Sequence, residues 1–422
     1  MLELSRIREE KDAIVEGLKT RNLNVDNQLT EVISLDEKRR ATQQQMEADL
    51  AELNSIAKSI GSLFQQGKAE EANNLKAKTV DLKEQSAKLK VTLQETEDAI
   101  NKILHTIPNV PNKIVPKGNS DQDNEIVFEN ATIPKLHPKA VPHWDLIKTY
   151  DLVDFELGVK ITGAGFPVYK GKGARLQRAL INFFLDEAIN AGYEEVIPPL
   201  LVNAESGFGT GQLPDKDGQM YHDAQDNLYL IPTAEVPITN IYRDVILNES
   251  QLPIKNAGYT PCFRREAGSW GADVRGLNRL HQFDKVEIVK VVHPDKSYET
   301  LDLMVAHVKN LLEKLELPYR VAKLCGGDLG FTSALTFDME VFSAAQEKWL
   351  EVSSISNFET FQANRLKLRF KSEGNKPQLA HTLNGSALAL PRILASILEN
   401  NQTESGINIP KVLVPYTGFD KI

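Results

Sequence analysis

From residue 72 onward, apolar and small side chains recur at alternating steps of three and four. The series is Ala72, Leu75, Thr79, Leu82, Ser86, Leu89, Leu93, Thr96, Ile100 and Ile103. A second series precedes it: Met46, Leu50, Leu53, Ala57, Ile60 and Phe64. Alternating three and four is the seam of a coiled coil. Gly61 and Gly67 bracket the segment SLFQQ between the two series, which reads as a turn. Two seams across a short turn predict an antiparallel helical hairpin. Extended backward, the first seam meets Asp36, Arg39 and Gln43, so its base is less cleanly apolar. Residues 1–104 contain no proline, and each helix would run about 50 Å at a rise of 1.5 Å per residue. An arm that long cannot bury itself in a body and is built to reach for something.

The pattern changes after residue 104. Residues 105–145 carry six prolines and read as an irregular linker. Beyond it, 174–192 and 297–315 have helical period, while 280–292, 320–325 and 349–356 read as strands. Strands come in adjacent clusters rather than strict βαβ alternation, which favours an antiparallel α+β domain over 146–422.

Composition narrows the class. The chain has 422 residues, 41% hydrophobic and 25% charged, ordinary for a soluble globular protein. At roughly 150 residues per domain, two or three domains are expected. That length buries a core without disulfides or a structural metal. The two cysteines, Cys262 and Cys325, are far apart and no CxxC or HxxxH spacing occurs, so neither a disulfide framework nor zinc is expected. The first thirty residues lack an apolar leader. The longest charge-free stretch, Pro377 to Pro391, has 15 residues and is too short and too broken to span a bilayer. A cytoplasmic protein without membrane attachment is expected.

The net charge of −9 argues against nucleic acid binding over the whole surface. It is unevenly distributed, however. Residues 1–52 hold 8 basic and 12 acidic side chains, whereas 53–90 hold 7 lysines and 4 acids. A locally positive arm tip, with Lys68, Lys76 and Lys78, suits a phosphate backbone. The same charges suit a dimerisation coil with a solvated lysine face.

No GxxxxGK[ST] loop, GxGxxG fingerprint, GxSxG elbow or HExxH motif is present. Any nucleotide must therefore be held another way. The segment 262–292 offers one, as a strand CFRREA, a loop GSWGADVRG and a second strand. Alternation puts Arg264 and Glu266 on one face and Arg265 on the other. On the second strand His281, Phe283, Lys285, Glu287 and Val289 share a face. One surface thus offers a guanidinium, two carboxylates and an aromatic ring, as an adenylate ester requires. A salt-bridged, solvent-facing sheet with Phe283 turned inward fits the same pattern.

FRREAG, RGL and HQFDKVE resemble motif 2 of class II aminoacyl-tRNA synthetases, and HTLNGSALALPRILASILENNQ resembles their motif 3. LIPTAEVPI is similar to the TxE loop of seryl-tRNA synthetases; GTGQLP, EVSS and the arm also match seryl enzymes of the bacterial type. The resemblance runs through the whole chain in order. It implies a class II fold, an antiparallel sheet flanked by helices, in a homodimer. It implies serine activation with ATP and Mg2+, and transfer to the terminal adenosine of tRNA(Ser), with tRNA(Sec) a further family substrate. Residues 1–104 become a tRNA-binding arm, 105–145 a linker and 146–422 the catalytic domain. The resemblance places Arg264 on the α-phosphate, Glu266 on the adenine amino group, Phe283 on the adenine ring and Arg392 on the γ-phosphate. Arg265, Arg279 and the run Glu351, Val352, Ser353 and Ser354 join the ATP site, Glu351 and Ser354 at the metal. Thr233, Ala234, Glu235, Glu287, Asn384 and Ser386 take the serine.

The chemistry agrees. Serine's carboxylate is already ionised at neutral pH, so attack on phosphorus needs no general base, only positioning and charge neutralisation. Thr233 with Glu235 also reads as a plain helix cap with an acid in its first turn. Glu351 and Ser354 are three apart, so a regular strand would put them on opposite faces unless it ends or bulges between them. Two departures from the family pattern stand out: Pro391 before Arg392, and Ala387 after NGS. Proline is tolerated at the start of a helix. Two other readings compete, a ligase charging a non-tRNA acceptor and an inactive paralogue acting through its arm. The arm argues against the first, and the retained Arg264, Glu266 and Arg392 against the second.

Overall fold

The computed structural model describes residues 1–130, 132–215, 218–265 and 275–422; Glu266, with Trp270 and Asp273 of the loop after it, lies outside the described residues. The chain forms two compact units, residues 2–16 with 23–108, and Met1 with 17–22 and 109–422.

The smaller unit is a helical hairpin of α1 (Asp26–Gln65) and α2 (Ala69–Leu104). All ten seam positions expected on α2 are buried or half-buried. On α1 the seam shares Met46, Leu53 and Ile60 with the expected series but passes through Asp49, Ile56 and Leu63. Leu50 and Phe64, expected inside, are exposed. Reading for apolar residues skipped a buried aspartate and displaced every second position by one. SLFQQ is not the turn either. Helix α1 continues through Gly61, whose Cβ position is open space, and the chain reverses at Gln66–Lys68, where Gly67 adopts φ +75°. The polar base has a partner: Asp36 is fully buried between Arg8 at 2.6 Å and Arg39 at 2.8 Å.

The larger unit is built on an eight-stranded sheet. In chain order its strands are β1 (Glu125–Asn130), β2 (Glu194–Glu195), β3 (Ile254–Phe263), β4 (Gln282–Val292), β5 (Tyr319–Lys323), β6 (Leu335–Ser343), β7 (Lys348–Asn357) and β8 (His381–Ala389). They lie side by side as β1-β5-β6-β7-β8-β4-β3-β2, antiparallel throughout except for β2 with β3. The stretch read as an irregular linker supplies β1 and the start of α3 (His143–Thr149). Proline spacing concealed both, because none of the six prolines falls inside them.

Alternation divides the sheet. Val286, Ile288 and Val292 of β4 face one side and pack with Leu180, Phe183 and Phe184 of α4 (Gly171–Asn190). Met304 and Leu311 of α5 (Ser297–Lys314) and Ile393 and Ile397 of α7 (Leu390–Asn400) complete that core. Each such fully buried side chain contributes roughly 1.5–3 kcal/mol. The opposite face of β4 carries Phe283, Lys285 and Glu287, and there the sheet remains open. α6 (Thr360–Leu366) follows β7. Among the described residues no helix is long and apolar enough to cross a membrane.

Candidate active site

The open face of the sheet floors a cavity of about 1260 Å³. Thr233, Glu235, Arg264, Arg279, Phe283, Lys285, Asn384, Ser386 and Arg392 line it, together with Glu351 through Ser354. It has two chemically different ends.

One end is a buried carboxylate centre. Glu287 lies opposite Ser386 on β8 and Gly258 on β3, and is fully buried. Asn384 Nδ2 donates to its Oε1 at 2.9 Å, and Thr233 Oγ1 to its Oε2 at 3.2 Å. Lys285 Nζ pairs with the same Oε2 and donates to Thr233 Oγ1 at 2.8 Å. Glu235 stands at the start of a short helix, Glu235–Asn240, with its backbone N–H donating to Thr233 Oγ1 at 3.2 Å. The acid stands in the first turn as the cap reading expected, but the N-cap is Ala234 and no side chain caps the helix, while the side chains of Thr233 and Glu235 both line the cavity. Burial, then the charge of Glu287, pushes the Glu235 carboxyl up to about 7, against the lowering effect of Gln362 Nε2 at 2.7 Å.

The other end is cationic. Arg264 leaves β3 just past Phe263, its guanidinium 5.3 Å from the Phe283 ring centroid and its Nε 3.3 Å from Pro232 O. Arg392 sits in the first turn of α7, immediately after Pro391. Its Nε donates to Asn278 O at 3.0 Å and its Nη1 to Glu351 O at 2.5 Å. Proline here costs no helical hydrogen bond, because first-turn N–H groups have no partner within the helix.

Strand β7 bulges as the three-residue spacing required. Met339 pairs with Ser353 but Glu340 with Glu351, leaving Val352 unopposed. Val352 and Ser353 are both buried, the former in the core, while Glu351 and Ser354 emerge on the cavity face. Beside them Asp338, opposite Ser354, keeps a buried Oδ1 without a partner. Burial, then the charge of Glu351, holds the Asp338 carboxyl well above the usual range. Carboxylate and hydroxyl oxygens beside an orphaned carboxylate oxygen suit a hard cation such as magnesium rather than zinc. Among the described residues no three His, Cys, Asp or Glu side chains form a complete metal site.

Among the described site residues, Arg265, Ala234 and Glu287 do not line the cavity, Glu287 lying behind Thr233 and Asn384. Arg265 turns away from the cavity, its guanidinium 5.8 Å from the Tyr221 ring, which removes it from the groups gathered there. The strand ends at Phe263, one residue before Arg264, so Arg265 lies beyond the strand that the sequence extended through Glu266. Ala234 is buried against Ile238 and Val289 and presents no side chain to the cavity. Glu266 lies outside the described residues. On the arm, Lys78 Nζ is 2.5 Å from Glu52 Oε1, Lys68 Nζ 3.6 Å from Glu71 Oε1, and Lys76 Nζ 4.7 Å from the Phe64 ring. Two residues were missed. Lys285 shares the face of Phe283 and Glu287, a signal visible in the alternation. Gln362 of α6, fully buried against Glu235, gave none, because 127 residues separate the pair.

Residues 219–401 match the tRNA synthetase class II core domain (G, H, P, S and T), and residues 1–111 the seryl-tRNA synthetase N-terminal domain. The antiparallel sheet, its cavity and the matched core make this a class II aminoacyl-tRNA synthetase. The chain is 48% identical over 424 residues to the serine–tRNA ligase of Salinibacter ruber, covering 100% of this chain and 99% of that one. With the enzyme of the same name from Chlorobaculum parvum it shares 46% over 429 residues, covering 100% of both. The seryl-tRNA synthetase of Pyrococcus horikoshii, solved complexed with ATP, superposes with a TM-score of 0.91 at 33% identity, covering 100% of this chain and 99% of that one. The chain belongs to the serine–tRNA ligase family.

Proposed function

We propose that the protein activates L-serine with ATP and transfers the seryl group to the 3′-terminal adenosine of tRNA(Ser). In the first step the serine carboxylate attacks the α-phosphorus, the bond to the β-phosphate oxygen breaks, and pyrophosphate leaves. In the second, a ribose hydroxyl attacks the seryl carbonyl, its proton is lost and AMP departs. The observation that carries this reading is the polarity of the cavity, with buried Glu235, backed by Glu287 behind Thr233 and Asn384, at one end and Arg264, Arg279 and Arg392 at the other. An amino acid's ammonium belongs at the first and a triphosphate at the second.

Glu235 and Thr233 take the ammonium; Glu287, Asn384 and Ser386 meet the serine hydroxyl. A site built to pair with that hydroxyl leaves its own polar groups unpaired when alanine or glycine binds. Arg264 neutralises charge developing on the α-phosphate and Arg392 orients the leaving pyrophosphate. Phe283 offers the adenine a stacking face, and Glu266 its amino group a carboxylate. Glu351 and Ser354 would hold Mg2+, which would supply charge neutralisation at the phosphates. The hairpin, residues 1–104, is the tRNA arm; the enzyme works as a homodimer in the cytoplasm. A ligase for a carrier protein would have no use for the hairpin, and an inactive paralogue would not keep Arg264 and Arg392.

ATP–pyrophosphate exchange tests this directly. Serine, with magnesium, is expected to support exchange, and threonine, alanine and glycine at least a hundredfold less. Chelating magnesium should abolish exchange. Exchange with a different amino acid overturns the pocket assignment; none from folded protein overturns the activity.

A further inference from the structure

A fully buried pair, His143 of α3 and Glu399 of α7, stands outside the cavity and has no part in the chemistry above. His143 Nδ1 lies 2.6 Å from Glu399 Oε1, and the His143 backbone N–H donates to the same oxygen at 2.8 Å. Gln346 Nε2 donates to it as well at 2.8 Å, and Ser343 Oγ bonds to Glu399 Oε2. On its far side His143 Nε2 accepts from the backbone N–H of Leu277 at 2.9 Å. An amide N–H can only donate, so Nε2 carries no proton and Nδ1 does. The imidazole is thus a bridge from the carboxylate to one backbone amide.

That amide matters because of its neighbours. The carbonyl of the next residue, Asn278, accepts from Arg392 Nε at 3.0 Å, and the Asn278 side chain donates to Gln346 Oε1 at 3.1 Å. Arg392 and Glu399 are seven residues apart on α7, two turns along one face. One helix therefore grips consecutive backbone groups, Leu277 N–H through His143 and Asn278 C=O through Arg392. Two further contacts fix the same stretch. Gly276 adopts φ +66°, and a Cβ there would stand 2.3 Å from His143 Nε2. The Arg275 guanidinium lies 4.8 Å from the Trp144 ring centroid.

We propose that His143, backed by Glu399, is a positioning residue for the triphosphate end of the site. It fixes residues 276–278, and through them the orientation of Arg392 and the approach of Arg279. It makes no contact with Glu235 or Glu287, the carboxylates assigned to serine. Its removal therefore weakens handling of ATP and leaves handling of serine intact. A merely structural histidine would affect both together.

The inference rests on the proposed activation of serine with ATP, and wild-type exchange serves as its control. His143→Phe keeps the ring volume and removes both hydrogen bonds. The expected result is a rise of about tenfold in KM for ATP, with a fall in kcat and KM for serine within about twofold. His143→Asn, which retains a donor for Glu399, should recover part of that loss. Glu399→Gln keeps an acceptor for His143 and should shift KM for ATP in the same direction by a smaller factor; it decides the matter if His143→Phe does not fold. Equal changes in both KM values, or no change in either, overturns the positioning role. Absence of exchange in the wild type would instead overturn the proposed activity.

Discussion

A carboxyl group sealed from water while another stands close by holds its proton more tightly, and Glu235 is in that position. Its pKa of about 7 lies above the ordinary glutamate value of about 4.3 that it regains on unfolding. Between those values the folded chain binds a proton that the unfolded chain has released. The stabilisation this group provides is fully present below the unfolded value and is lost as pH rises through 7. Glu235→Gln has no such loss, so its thermal midpoint relative to wild type should climb between pH 5 and pH 8. Function runs the other way, because an ammonium is held by the carboxylate and not by the acid. The kcat/KM for serine in pyrophosphate exchange should fall roughly tenfold per pH unit below 7. A flat profile there would show that Glu235 is ionised throughout or does not meet the substrate.

At the scale of elements, legibility followed how local each signal was. Helix α2 was read correctly because every seam position carries an apolar or small residue. Helix α1 was displaced at alternate positions because its true seam includes Asp49, which no apolar pattern selects. The bulge in β7 was foreseeable, since Glu351 and Ser354 can share a face only if Val352 drops out of register. The partnership of His143 with Glu399, by contrast, spans 256 residues and exists only once α3 packs beside α7. Asp49 also invites a test. Its Oδ1 accepts from Gln45 Nε2 at 2.8 Å, but its Oδ2 is buried without a partner. Burying an unpaired polar atom costs about 1–3 kcal/mol, whereas leucine at a seam position gains by burial. Asp49→Leu should therefore raise the unfolding midpoint of the hairpin, followed by circular dichroism of the full chain. A lower midpoint would show that the carboxylate has a stabilising role its contacts do not reveal.

At the scale of the whole molecule, the two units divide the chemistry. Every residue lining the cavity belongs to the larger unit, so adenylate formation requires nothing from the hairpin. The hairpin in turn offers no catalytic group, only length and a local surplus of lysines in a chain of net charge −9. Phosphate contacts of this kind add affinity without chemistry, and that affinity falls as salt rises. Replacing Lys68, Lys76 and Lys78 together by alanine removes three positive charges near the turn. Lys78 and Lys68 already meet carboxylates, at Glu52 and Glu71, but these are surface pairs worth little to stability. Folding should therefore be unchanged. Serine-dependent pyrophosphate exchange should match wild type, while KM for tRNA(Ser) in the charging reaction rises about tenfold and its salt dependence becomes shallower. Equal loss of exchange and charging would mean that these lysines support the body of the enzyme rather than a nucleic acid. Unchanged charging would move the RNA contact to another face of the hairpin.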